Sequence, residues 1–256
     1  DYRFFDLKTE VILNANGSAR IQLDNTDILV AVKVGIEETE VANPNEGRAC
    51  GSVECAPSAS ILFQGRGADT LNVKLTSRLQ QLLDSAIDKE ALCIVARKQC
   101  WVVNVDAVVL DSSGNLEDAI AMATFAALHT TTIPAVKVVT GEESNETIIE
   151  VSDDPYETTD LKLNKAPLTV SLTKVGAYFV VDATGEEESC MSAKVTFAVD
   201  ADGKLCAMSK TGIGGISKKL LTNMMATASE TGKTLMGKIR SIINKQDNEE
   251  EKKNDM

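Results

Sequence analysis

The sequence predicts an α+β protein made of two similar halves, each a mixed β-sheet with packed helices. Two observations carry this. Strand-like segments give way to a helix-like segment twice along the chain, and a polar, acidic stretch near 140–166 separates the two rounds. The expected division is a first domain at 1–137, a linker region at 138–166, a second domain at 167–245 and an acidic tail at 246–256.

The first half opens on strands. Glu10–Asn14 and Ala19–Leu23 flank Asn16-Gly17, a strong short hairpin signal. Ile28–Val34 is apolar and β-branched, the composition of a strand. Residues 69–87 switch to helical spacing, with Leu71, Leu75, Leu79, Leu82 and Leu83 on one face. Leu92–Val95 and Trp101–Leu110 return to strand. The second run is nearly all apolar and predicts a central strand covered on both faces. Asn115–His129 is an alanine-rich helix whose short side chains let its backbone lie close to a sheet.

After 166 the pattern restarts. Leu168–Thr173, Ala177–Asp182, Cys190–Val199 and Lys204–Met208 alternate like strands, and Asp202-Gly203 supplies a turn. A long helix follows, with Ile216, Leu220, Met224, Ala228, Leu235, Ile239 and Ile242 at helical spacing.

Charge narrows the function classes. The formal net charge over 256 residues is −12. An autonomous nucleic-acid binder usually presents a basic stripe, because phosphate neutralisation drives its affinity. This chain either avoids nucleic acid or contributes to a larger basic surface. The tail carries Asp247, Glu249, Glu250, Glu251 and Asp255 against two lysines, and is predicted to be disordered. The six cysteines form no CxxC, and His129 is the only histidine, so no zinc site is expected. Free thiols in apolar runs fit a reducing compartment. No signal peptide opens the chain, and no apolar run approaches the ~20 residues of a membrane span. The sequons at Asn16 and Asn145 read as chance in an intracellular protein.

Chemistry-bearing motifs are few. Gly232-Lys233-Thr234 resembles the end of a P-loop, but Thr227 stands where the first glycine belongs and the segment is helical. Lys210–Ser217, with Gly212, Gly214 and Gly215, joins a strand to the last helix and could cradle an anion. Its structural reading is a flexible connection capped by Ser217. Asp111–Asn115 opens the alanine-rich helix, yet Glu117 and Asp118 in its first turn would repel a phosphate. His129, at that helix's C-terminal end, suits capping or packing. Glu186-Glu187-Glu188 reads as a charged loop and not as a metal site.

Taken together, several segments resemble the RNase PH superfamily. They are Asn16–Val30 as its opening hairpin, Phe63-Gln-Gly-Arg-Gly67 as its glycine-arginine turn, Cys100–Asp106 as its central strand and Gly114–Ile120 as the helix that follows. Pro44–Gly47, Ser152–Tyr156 and Val181–Ser189 are similar to the inert ring subunits of the RNA exosome. The likeness covers residues 1 to about 245. By the resemblance, the chain is expected to start late, after the family's preceding helix and arginine-rich turn.

The resemblance implies a role. Active family members cleave RNA from its 3′ end with inorganic phosphate. They hold the phosphate with an arginine after the glycine turn, where this chain has Glu117. They carry an aspartate in the strand after the acidic turn, where it has Lys194. Their phosphate loop contains a glutamate, where it has Ile213-Gly214-Gly215. These departures imply a catalytically silent subunit with no cofactor. It would pair with another RNase PH-like chain in a six-membered ring, beside RNA-binding cap subunits, and pass RNA through the pore to a separate nuclease. The nucleus, nucleolus and cytoplasm would be its compartments. Candidate RNA contacts are Arg66, Arg78, Arg97 and Lys98, each of which also reads as a solvated surface cation. The rival functions are an active phosphate-dependent exoribonuclease and an acidic scaffold without an RNA role.

Overall fold

The computed structural model describes residues 2–140, 147–152, 154, 157–164 and 166–254. The first half is a six-stranded sheet: β1 (Phe5–Thr9), β2 (Gly17–Leu23), β3 (Thr26–Glu38), β4 (Arg48–Cys55), β5 (Cys93–Val95) and β6 (Gln99–Asp111). Its order is β1-β2-β3-β6-β4, with β5 paired to β6, and only β4 runs parallel to its neighbour. α1 (Asp69–Ala86) and α2 (Leu116–His129) pack on the face that presents Ile21, Ile28, Val30, Val103, Val105 and Val109. α2 is buried on nearly every side, as its alanines allow.

Three expectations for this half need correction. The first strand is Phe5–Thr9, not Glu10–Asn14, because Glu10 turns into the left-handed region at φ 54°. Asn16-Gly17 is not the hairpin turn. Asn16 instead pins three segments: its amide donates to the Thr132 carbonyl, its Oδ1 accepts from Val34 N–H and its own N–H donates to the Val32 carbonyl. Gly17 is needed for close packing, since a Cβ there would lie 2.3 Å from Thr131 Oγ1 and 2.6 Å from the Ala127 carbonyl. Finally, β6 is covered on both faces only near its start. Beyond Val103 it alternates, with Val105, Ala107 and Val109 buried, Asp106 and Leu110 exposed and Asn104 and Val108 half-buried.

The free edge of β4 is closed from within. The N–H groups of Gly51, Val53 and Cys55 donate to Gln80 Oε1, Thr76 Oγ1 and Asn72 Oδ1 at 3.0, 3.0 and 3.1 Å. Gln80 Nε2 returns a bond to the Ala49 carbonyl at 2.8 Å. These three side chains sit four residues apart on α1, one helical turn each, and so replace a neighbouring strand.

The segment expected as a linker carries regular structure. β7 (Thr132–Pro134) pairs with β10 (Thr158–Asp160), and β8 (Val136–Thr140) pairs with β9 (Thr147–Val151). The sequon residue Asn145 and the expected breakers Asp153 and Pro155 lie outside the described residues.

The second half is a separate four-stranded antiparallel sheet, ordered β12-β11-β13-β14: β11 (Leu168–Val175), β12 (Tyr178–Val181), β13 (Ala193–Val199) and β14 (Leu205–Thr211). The acidic run 186–188 is not a loop. It forms the first turn of α3 (Gly185–Ser189), where Thr184 and Glu187 make a capping box. Cys190–Ser192 therefore precedes the strand expected there.

α4 (Lys218–Asn254) joins the two halves. Its Met224 and Ala228 pack on the second sheet with Val170 and Phe197. Leu235, Met236, Ile239 and Ile243 enter the larger core with α2. Gly232 sits inside this helix because a Cβ would meet Val199 at 2.7 Å. The helix also runs past the expected domain boundary at 245. α4 continues through Asn254, with Asp255 and Met256 outside the described residues. Gln, Glu and Lys sustain helix, and Gln246 is anchored, accepting from Thr9 N–H at 3.1 Å and donating to the Leu7 carbonyl at 2.7 Å. Among the described residues no helix is long and apolar enough to cross a membrane.

Candidate functional site

The start of α2 meets the second sheet at a buried cluster of charge. Gly114, at φ 95°, lets the chain pass against Thr184 and Gly185, where a Cβ would lie 2.5 Å from the Gly185 nitrogen. Asn115 follows at φ 55°, fully buried, and its amide donates to Asp118 at 3.0 Å and to Asp182 at 2.7 Å. Asp118 also accepts from Tyr2 OH, Ser171 N–H and Ser171 Oγ, each at 2.8 Å. Asp182 takes a bidentate grip from Arg3, Nε and NH2 both at 3.0 Å. Two carboxylates thus tie the N-terminal residues, α2 and the second sheet together. Burial pushes the Asp118 carboxyl up despite Lys194 and these bonds, and burial beside Asp118 pushes the Tyr2 phenol up.

Glu117 and Lys194 come close at this junction. Glu117 lies 2.8 Å from Lys74 Nζ and accepts from Thr196 Oγ1 at 2.8 Å. Burial alone would raise its carboxyl, but Lys194, Lys74 and Thr196 outweigh it and hold the group below its ordinary range. Burial opposes the Lys194 charge, and Glu188, Glu117 and Asp118 overcome it, raising the amine above its usual value. Lys194 Nζ donates to Glu188 Oε1 at 2.9 Å. An incoming phosphate at this helix N-terminus would face Glu117, Asp118 and Glu188. The protein's own carboxylates already use the positive end of the helix dipole.

The glycine-rich connection 210–217 packs against the β12–β13 connection. Gly214 N–H donates to the Ser192 carbonyl at 2.8 Å, and a Cβ on Gly212 or Gly214 would lie 2.9 or 2.6 Å from that oxygen. Lys210 and Lys174 donate to the Gly212 and Gly215 carbonyls, each at 2.8 Å. Ser217 caps α4 through Leu220 N–H at 3.3 Å.

The candidate RNA contacts are not brought together. Arg78 projects from α1 across the cleft between the halves and donates to Ser209 on β14 and to Gln81. Arg66 is exposed before α1, at the end of the sheet where Asn72 meets Cys55. Arg97 and Lys98 are exposed at the opposite end, just before β6. Cys55 pairs with Val109, nine residues along β6 from Cys100, so these two groups stand on the order of 30 Å apart. The cleft under Arg78 has a volume of about 260 Å³ and is lined by Leu75, Leu79, Glu117, Thr196 and Met208. His129 packs its ring 4.5 Å from Phe125, and partial burial and the Arg240 cation lower its pKa.

Lys74, Thr196 and Arg3 escaped the sequence reading as site residues, and Glu188 was weighed only within the acidic run 186–188. Asp182 begins the Asp-Ala-Thr-Gly stretch, which carried the only usable signal.

This arrangement defines a two-domain RNase PH fold, and the chain belongs to the 3′ exoribonuclease family. The model of that family's domain 1 matches residues 1–134, and that of domain 2 matches residues 165–231. Among curated relatives, a Dictyostelium discoideum protein with the provisional name exosome complex exonuclease RRP42 is 35% identical, over 91% of this chain and 86% of its own length. The exosome complex component Rrp42 of Methanopyrus kandleri is 32% identical over 95% of this chain and 89% of its own. Among solved structures, a chain of the Archaeoglobus fulgidus exosome with RNA bound to the active site superposes with a TM-score of 0.81. It is 29% identical, covering 93% of this chain and 89% of that one.

Proposed function

We propose that the chain is an Rrp42-type subunit of an exosome ring that supports 3′-to-5′ RNA degradation without catalysing phosphorolysis itself. The observation that carries the inert reading is the charge arrangement at α2. Glu117 fills the position at which the family resemblance expects a phosphate-holding arginine. It is held ionised by Lys74 and by Lys194, which stands where the family's aspartate is expected. A carboxylate fixed there opposes phosphate binding. The acidic net charge of −12 fits a subunit whose partners supply most of the basic lining for RNA. The proposed partners are other RNase PH-like ring subunits, RNA-binding cap subunits and a separate 3′-to-5′ nuclease. Nucleus, nucleolus and cytoplasm are the proposed compartments, with ribosomal RNA processing among the tasks.

The test is a phosphorolysis assay on the isolated chain with a 5′-labelled oligoribonucleotide and inorganic phosphate. The expected result is no shortening and no release of nucleoside diphosphates. Phosphate-dependent shortening that persists in Glu117→Ala overturns the inert reading. RNA crosslinking inside the assembled complex separates the ring subunit from a scaffold that never meets RNA.

A further inference from the structure

Six cysteines are free, and the β-ladder places two of them directly opposite one another. Cys93 on β5 pairs antiparallel with Cys100 on β6, just ahead of a register shift between Cys93 and Val95. Opposite residues of an antiparallel pair point to the same face, with Cα atoms about 4.5 or 5.5 Å apart. Both separations fall inside the roughly 4.4–6.8 Å range that a disulfide spans without moving the backbone. None of the other four cysteines stands opposite a cysteine in a described ladder.

The pair sits at the base of a short hairpin. Its tip carries Arg97, at φ 64°, and Lys98, both exposed. The tip also braces the neighbouring 39–48 segment. Arg97 N–H donates to the Pro44 carbonyl at 2.7 Å, and Thr39 N–H to the Lys98 carbonyl at 3.2 Å. A covalent link between Cys93 and Cys100 would fix both the cationic tip and that segment.

We propose that Cys93 and Cys100 are a peroxide-responsive dithiol site whose oxidation closes a cross-strand disulfide beneath the Arg97-Lys98 tip. Cys93 reacts first, because it is half-buried whereas Cys100 is fully covered. Burial, only partly offset by Arg48, also keeps the Cys100 thiol protonated. The Cys93 thiolate attacks hydrogen peroxide. An S–O bond forms, the O–O bond breaks, and the departing hydroxide takes a proton to become water. The Cys100 sulfur then attacks the sulfenic acid. The S–S bond forms as the S–O bond breaks, and the leaving oxygen departs as a second water carrying the Cys100 proton. Two thiols are oxidised by two electrons and one peroxide is reduced to two waters.

The test treats the full chain with graded hydrogen peroxide, blocks the remaining thiols with N-ethylmaleimide and digests with trypsin under non-reducing conditions. Trypsin cuts after Arg97 and Lys98, between the two cysteines, so only a disulfide keeps the two peptides joined. The expected product is that linked pair, two hydrogens lighter than its separate thiol peptides and formed ahead of oxidation at exposed Cys50, Cys190 and Cys206. Slower amide hydrogen exchange across 39–48 and 93–100 should accompany it. In Cys100→Ala, Cys93 should stop at sulfenic or sulfinic acid. Should that variant not fold, Cys93→Ser, at the half-buried position, should abolish the linked peptide and leave Cys100 alkylatable after denaturation. Separate alkylation of Cys93 and Cys100 throughout the peroxide series overturns the proposal.

Discussion

Glu117 and Lys194 show how a buried charge survives only in company. Glu117 has an 8% exposed side chain and Lys194 an 8% exposed one, and either would lose its charge if isolated there. Lys194→Ala leaves Glu117 with Lys74 alone and Glu188 without its hydrogen-bonded cation, a loss of about 1.5–3 kcal/mol for a hydrogen bond to a charged group. Urea denaturation should show a midpoint lowered accordingly. The pH dependence has a definite sign. The Glu117 carboxyl titrates lower in the folded chain than its ordinary 4.5, so its contribution is present above that pH and lost as pH falls through the depressed folded value. Glu117→Gln should remove that part of the acid limb, measured as urea midpoints from neutral pH downwards. Lys194 behaves oppositely: its contribution is complete below its ordinary 10.5 and is lost as pH rises through the raised folded value. The acidic first turn of α2 is legible in the sequence, because Gly114-Asn115 precedes an unbroken alanine-rich run. Lys194 is not. Ala193, Val195, Phe197 and Val199 mark the buried face of β13, so alternation assigns Lys194 to solvent. The tertiary approach of Glu188 on α3 and of Glu117 and Asp118 on α2 buries it.

At the scale of elements, Gly17 is misread by local pattern, and the role of the polar face of α1 has no local signal, for the same reason. Asn-Gly has turn chemistry, and Asn72, Thr76 and Gln80 have the spacing of a solvent-facing stripe. Each is used across a tertiary contact that no sequence window contains. Gly17→Ala should destabilise by about 1–3 kcal/mol, the cost of forcing an extra methyl into a packed site, as read from thermal or urea unfolding. A Gly17 serving an exposed turn would not show that loss unless its φ were positive, and Gly17 is absent from the positive-φ glycines. Substituting Asn72, Thr76 and Gln80 with Ala should cost about 1 kcal/mol per lost bond. The triple variant should also associate with itself, because it uncovers the β4 edge. Sedimentation of the triple variant alongside the three single ones checks this. Element types, by contrast, read well wherever periodicity is strong. Leu75, Leu79, Leu82 and Leu83 of α1 and Met224, Ala228, Leu235 and Ile239 of α4 fall in the core as their spacing predicts, whereas Leu71, Leu220 and Ile242 are only partly buried and Ile216 precedes α4. The run of α4 past 245 is not legible in that way, since acidic composition suggests a tail there while Gln246 fastens the helix to β1.

For the whole molecule, the closing of sheet edges limits where a partner can attach. α1 occupies the β4 edge, and Gln246 occupies part of the β1 edge. In the second sheet β12 and β14 are the outermost strands, and among the described residues the side-chain contact across β14 is Arg78–Ser209. Large apolar side chains are exposed beside them, including Tyr178 on β12, Met208 on β14 and Ile213 in the glycine-rich connection. Further exposed apolar groups, Ile61, Leu62 and Val73, cluster in sequence around the start of α1. Exposed apolar side chains mark an interface where they form a contiguous patch, and Met208 with Ile213, on β14 and the connection that follows it, are the positions to test. A stable heterodimer with another RNase PH-like chain is therefore expected, burying about 2,000 Å² or more in total. Expressed alone, the chain should be poorly soluble or self-associated, and co-expression with its partner should restore a defined assembly. Met208→Glu and Ile213→Glu place charge on exposed positions, so they should leave the chain folded by circular dichroism. If β14 and its connection lie in the interface, they should weaken the heterodimer at least tenfold, because a carboxylate buried without a partner costs more than 1.4 kcal/mol. Analytical ultracentrifugation of the mixture reads this directly, and a 27.4 kDa monomer that ignores every other ring-type chain at micromolar concentration refutes the pairing.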